Sequence, residues 1–279
     1  MNSEIPMDEH TFHPKFLSFE VAGPGEEMIY LCHRFQIPPL DMGALGRMVY
    51  DKPPWRIYRD DTGWTYLSVL KKEGTVNVYQ VARFNTDHTE GVIYHHREDF
   101  FRRGESASLS FLPTDQIILS RALAKRHAFY FHAAGVVLNG KGFLFAGRSG
   151  AGKSTAVGLL GDEATILCDD RIIVRQKTQS FQIHGTWSHG DIPAVSSTSA
   201  PLNAFFFIRK AKKNRLFPVS TRKEAMHLLL DCLVRPVEDA EWWNMTLDFV
   251  EELAAQSPCY VLEFVPQPGL DAFIEHAGL

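Results

Sequence analysis

Lys153 stands at the end of a glycine-rich run, Gly147-Arg148-Ser149-Gly150-Ala151-Gly152-Lys153-Ser154-Thr155, that fits the phosphate-binding pattern G-x-x-x-x-G-K-[ST] at every fixed position. Glycines let the backbone curl closely enough for several N–H groups to face one anion. Lysine then reaches the outer phosphates, and the Ser154 hydroxyl is placed to sit on Mg²⁺. A short way downstream two carboxylates are adjacent, Asp169-Asp170, inside an otherwise apolar stretch running from Ala164 to Val174. Burying two unpaired acids is costly. The cost is offset if one acid meets the metal and the other a substrate proton. His132 lies in another apolar run and also needs a polar partner there.

The elements around these residues follow from pattern. Gly142-Phe143-Leu144-Phe145-Ala146 predicts a buried strand entering the glycine run, and Thr155 to Leu160 predicts the first turns of a helix leaving it. Phe129 to Leu138 predicts a strand, and Asn139-Gly140 after it predicts a hairpin. His132 therefore falls on the strand paired with the one that delivers the loop. Strand alternation sends Asp169 and Asp170 to opposite faces, so a distortion or a strand end is needed to aim both at one site. His184-Gly185-Thr186-Trp187-Ser188-His189-Gly190-Asp191 predicts a loop with several side-chain donors, and Arg209 to Arg215 a basic turn after the buried strand Phe205 to Ile208.

Before this part the chain reads differently. Residues 1–12 show no period. Phe16 to Val21, Met28 to Cys32, Trp55 to Tyr58, Trp64 to Val69 and Val76 to Val81 predict short strands between glycine and aspartate turns. His95, His96, Arg97, Arg102 and Arg103 are expected on a solvated edge and loop. Pro113-Thr114-Asp115 opens a predicted helix. The expected division is a β-rich antiparallel lobe over 1–112 and a nucleotide-binding α/β domain over 113–279. In the latter, Thr221 to Glu224 predicts a capping box, a helix runs to Pro236, a second carries Trp242 to Leu253, and Cys259 to Val265 predicts a late strand.

Composition narrows the function classes. Hydrophobic residues make up 45% and charged residues 22% of the 279, with net charge −4. No global charge favours nucleic acid or an acidic membrane. The four cysteines are far apart and form no zinc or disulfide framework, which suits a reducing compartment. No apolar run approaches the ~20 residues that span a bilayer. The expected location is cytoplasmic.

The order of a histidine strand (His132 to Val136), the phosphate loop (Gly147 to Thr155) and a close-following aspartate pair (Asp169-Asp170) resembles the HPr kinase/phosphorylase family, whose nucleotide fold is similar to that of phosphoenolpyruvate carboxykinase. In overall organisation the chain looks closer to the HPr-kinase-like serine kinases of lasso-peptide-type clusters. The resemblance implies an ATP- and Mg²⁺-dependent kinase acting on a hydroxyl of a peptide or small protein, with family members that form homo-oligomers. It implies that Gly147, Arg148, Ser149, Gly150, Ala151, Gly152, Lys153, Ser154 and Thr155 cradle phosphate and metal. Asp169 is then the base, Asp170 a metal ligand with Ser154, and His132 and Lys153 catalytic neighbours of the γ-phosphate. A nucleotide-binding module without transfer activity, or a phosphorylase or hydrolase of the same fold, are the other expectations.

Overall fold

The computed structural model describes residues 1–279 except 26–27, 73–74, 105, 111–114, 161–162, 179, 236–239 and 277. It is a mixed α/β protein with two sheets. Its contacts divide it into two compact units, the first Met1–Phe16 with Glu20–Ala122, the second Leu17–Phe19 with Leu123–Leu279. The division falls ten residues beyond the expected end of the β-rich lobe, inside a helix, Asp115–Ala124. Pro113 and Thr114, expected to open that helix, lie outside the described residues. No helix among the described residues is long and apolar enough to cross a membrane. All four cysteines are free thiols.

The first unit is a seven-stranded sheet of β1 (Asn2–Ser3), β2 (Tyr30–Arg34), β3 (Arg47–Lys52), β4 (Trp55–Arg59), β5 (Gly63–Lys72), β6 (Thr75–Asn85) and β7 (Glu90–His95), in the order β1-β2-β7-β6-β5-β4-β3. From β3 to β7 its neighbouring strands pair antiparallel. β1 and β2 join in parallel, which was not expected. Two helices follow it in sequence, α1 (Asp99–Arg103) and α2 (Asp115–Ala124).

Two expectations fail here. Phe16 to Val21 is not a strand: a 3-10 helix spans Pro14–Phe19. Pro14 presets φ for a helical start, and the His13 carbonyl accepts from Phe16 N–H at 3.0 Å. His95 is not on a solvated edge. Alternation along β7 turns Gly91, Ile93 and His95 inward, and His95 is buried with its Nε2 3.0 Å from His33 Nδ1. Phe35 stacks on the His95 ring at 5.3 Å between centroids. Arg97 and Arg102 are exposed as expected, paired with Asp99 and Glu98.

The second unit is an eight-stranded sheet of β8 (Ala128–Leu138), β9 (Lys141–Ala146), β10 (Ala164–Cys168), β11 (Arg171–Lys177), β12 (Ser180–His184), β13 (Ser199–Lys210), β14 (Arg215–Pro218) and β15 (Cys259–Phe264). Its main path is β10-β8-β11-β12-β13-β15-β14, and β9 pairs with both β8 and β13. Asn139 and Gly140 both take positive φ, 51° and 74°, as the two-residue hairpin demands. β9, β13 and β15 run parallel, so their C-terminal ends lie together.

Alternation sorts the apolar residues of these strands into two cores. Phe129, Phe131, Leu144, Phe205 and Phe207 face one way, against α4 (Arg222–Cys232) and α5 (Ala240–Gln256), with Trp242 and Phe249 at the centre. Val136, Phe143, Phe145, Phe206 and Leu262 face the other way, against α3 (Lys153–Gly158) and α6 (Leu270–His276). Helices thus cover both faces, which is why these strands read as nearly continuous apolar runs. The Thr221 side chain caps α4 by accepting from Glu224 N–H at 3.2 Å. Pro236, expected to stop that helix, lies outside the described residues.

The buried histidine pair makes the first unit sensitive to acid. Burial pushes His33 down to about 4 and His95 down to about 3, the latter helped by the nearby charge of His33. An unfolded histidine takes up its proton near 6.5, so below that pH the unfolded chain binds protons the folded unit refuses. The stabilisation is complete above pH ~6.5 and falls as pH drops toward the folded values. Urea denaturation should show the first unit losing on the order of 1–2 kcal/mol per histidine between pH 6.5 and 5. His95→Leu should flatten that slope; an unchanged slope would contradict the assignment.

Candidate functional site

The glycine loop lies where the parallel strands end. β9 delivers Gly147, and a Cβ built there would come within 3.4 Å of the Ile208 carbonyl oxygen on β13. The Phe264 ring of β15 stands 3.3 Å from the corresponding position at Gly152. Gly150 and Gly152 take φ of 74° and 105°, conformations that glycine alone adopts without strain. Ala151 N–H donates to Arg148 O at 3.0 Å and closes the turn, and α3 begins at Lys153. Arg148 and Ser149 are exposed at its tip, and Thr155 is exposed one turn on.

Lys153 is 8% exposed and folds back on its own loop, donating from Nζ to Gly147 O at 3.1 Å. Burial lowers its pKa, while Asp170, Asp169 and Asp191 pull in the opposite direction. The amine thus belongs electrostatically to the acids downstream.

The two aspartates occupy the bend between β10 and β11. The pairing of β10 with β8 shifts register between Ile166 and Cys168, and the strand ends immediately after. The distortion the adjacent acids required is therefore present, and it gives them different surroundings. Asp169 turns inward and is 2% exposed. Its Oδ1 accepts from Gly190 N–H at 2.5 Å and its Oδ2 from Ile192 N–H at 2.9 Å. Burial alone would raise its pKa, but these bonds, with one from the Ser154 side chain, bring it below the ordinary value. Asp170 turns toward β8: its Oδ1 is 3.5 Å from His132 Nε2, and its Oδ2 is 3.3 Å from Arg171 Nη1. Arg171 and His132 are register partners across β11 and β8. Burial, Lys153 and Arg171 lower the His132 pKa against the pull of Asp170, so the ring is neutral at pH 7.

The loop after β12 closes the corner. Besides the amides on Asp169, it supplies Thr186, whose hydroxyl donates to Arg171 O at 2.6 Å, and Ser188, whose Oγ accepts from Arg171 Nη1 at 3.3 Å. Gly185 has no room for a side chain, since a Cβ there would meet Ser196 O at 1.9 Å. Sequence reasoning found the loop but not its backbone bonds to Asp169, and missed Arg171 as the clamp on Asp170. The glycine spacing at 185 and 190 was the available signal. The basic turn after β13 is exposed and follows the strand segment beside Gly147. His132, Lys153, Ser154, Asp169 and Asp170 thus gather in one neighbourhood, linked through direct contacts and shared electrostatics.

No curated protein matches the chain. Among solved structures, the Hpr(Ser) kinase/phosphatase from Coxiella burnetii is similar at 14% identity over 53% of this chain and 86% of that one, with a TM-score of 0.31. That likeness is distant and says nothing of activity. A family model matches residues 107–267, more than half of the chain, and it describes the SynChlorMet cassette protein ScmC. It is this family, not that of the HPr kinases, whose model the sequence fits, and the chain belongs to it.

Proposed function

We propose that the second unit is an ATP- and Mg²⁺-dependent phosphotransferase acting on the hydroxyl of a peptide or small protein. The observation that carries the proposal is the electrostatic grouping of Lys153 with Asp169, Asp170 and Asp191 beside a glycine loop of positive-φ turns. Phosphoryl transfer asks a protein chiefly to position groups and to balance charge, and these residues supply both. Lys153 would leave Gly147 O for the outer phosphates. Mg²⁺ keeps phosphate oxygens and waters as most of its ligands, and the Ser154 hydroxyl would add one from the protein, while Asp170, the expected second ligand, serves instead as the base. The ion would supply charge neutralisation at the transferred group.

The base is better assigned to Asp170 than to Asp169, reversing the expectation from resemblance. A base needs an open oxygen, and both oxygens of Asp169 already accept backbone N–H bonds in a buried setting. Asp170 is part-exposed, and its partners His132 and Arg171 orient it without enclosing it. In the step itself, the acceptor O–H proton passes to Asp170 as the oxygen bonds the γ-phosphorus. The bond from that phosphorus to the bridging oxygen breaks, and ADP carries away the electron pair. Neutral His132 holds the carboxylate in place.

Three variants test this. Lys153→Ala should weaken nucleotide binding by about 10-fold or more, since a charge-assisted bond is lost; titration calorimetry reads it. Asp170→Asn should bind nucleotide within about threefold of the parent and lose about 10²–10⁴-fold in transfer. Asp169→Ala should lower the melting temperature, because two part-buried N–H groups lose their charged acceptor, a loss on the order of 1–3 kcal/mol in all. Full turnover by Asp170→Asn would remove it as base. Labelled ATP that binds without passing to any hydroxyl in a peptide library would sink the proposal.

A further inference from the structure

β11 has two unlike faces. Its sequence is Arg171-Ile172-Ile173-Val174-Arg175-Gln176-Lys177. Ile172 and Val174 are fully buried in the core beneath α4 and α5. Alternation therefore sets Arg171, Ile173, Arg175 and Lys177 on the opposite face. That face also carries His132, the register partner of Arg171, and His184, the register partner of Ile173. The charges of Lys177 and Arg175 help burial to hold the His184 pKa down.

This face is cationic, and beyond Arg171, which is held by Asp170 and Ser188, its polar groups are not used up. Among the described residues neither Arg175 nor Lys177 forms an ion pair or a side-chain hydrogen bond, and the buried Nε2 of His184 has no hydrogen-bond partner. Asp170 and His132 stand at one end of the row. Cations at alternate strand positions lie about 7 Å apart, the same interval as alternate side chains of another extended chain. Ile173, between Arg171 and Arg175, offers an apolar contact.

We infer that the Arg171–Arg175–Lys177 strip binds an extended acidic segment of the acceptor and so selects hydroxyls with carboxylates at a fixed distance. A hydroxyl at Asp170, level with the Arg171 head group 3.3 Å from it, would place those carboxylates about four and six residues away, opposite Arg175 and Lys177. The hydroxyl rests on the proposed phosphotransfer, but charge-dependent binding to the strip can be measured without it.

The probes are fluorescein-labelled extended peptides with one serine and glutamates about four and six residues from it, before it in one peptide and after it in another. Counterparts carry glutamine instead. By anisotropy on the full chain, at least one glutamate peptide should bind about 10-fold tighter than its counterpart, with the advantage shrinking as salt rises. Arg175→Gln with Lys177→Gln should abolish the advantage, and exposed Lys177→Gln alone should reduce it. Lys141→Gln with Lys223→Gln, a matched loss of charge elsewhere, should leave it intact. Equal binding of all peptides overturns the inference, and so does an advantage that survives the strip variants or falls equally in the control. Charge-dependent binding without transfer from ATP leaves the strip standing and removes the phosphotransfer reading. Transfer to glutamate and glutamine peptides with equal KM does the reverse.

Discussion

A buried carboxylate is among the most expensive groups a fold can enclose, and Asp169 is enclosed with a lowered pKa. It is tolerable only because two backbone N–H groups and the Ser154 side chain converge on it. Those bonds connect the end of β10, the loop that follows β12 and the first turn of α3. Remove the carboxylate and the three segments share no polar anchor at that point. The neighbouring residue follows from the same bend: with Asp169 turned in, Asp170 faces His132 and Arg171.

The acids also explain how Lys153 can be buried. An ammonium taken out of water needs compensation, and here it comes from a loop carbonyl and from the field of Asp170, Asp169 and Asp191. Burial nevertheless wins, and the pKa falls. An arriving anion would reverse that balance, because a second negative neighbour favours the charged amine. The lysine is thus held near the loop in a state that a phosphate improves.

Much of this was legible in the chain because the signals were local. The Asn139-Gly140 hairpin, the glycine loop and its entering strand depend on backbone conformations that few residues supply, so composition reveals them. The adjacent acids were legible as a problem, and the strand end with its register shift solves it. What the sequence withheld was which acid turns inward. That depends on backbone donors at Gly190 and Ile192, which arrive from more than twenty positions away and are not encoded in any side chain. His95 was misplaced for a related reason: its neighbours His96 and Arg97 suggest solvent, while its partner His33 comes from a distant strand. Phe16 to Val21 misled because aromatic and branched residues serve a short 3-10 turn after Pro14 as well as a strand.

The single strand β11 shows how little extra sequence a recognition surface requires in such a sheet. Its even-numbered residues Ile172 and Val174 must be apolar, since they complete the core beneath α4 and α5. Its odd-numbered residues are freed from that duty by the same alternation, and three of them are cations. Because β11 begins at Arg171, which contacts Asp170, its odd face starts beside the proposed base and extends outward in strand-sized steps. Register with β8 and β12 then fixes His132 and His184 alongside. The distance from the reacting group to each cation is set by backbone geometry alone, so selectivity for spaced carboxylates needs no additional element.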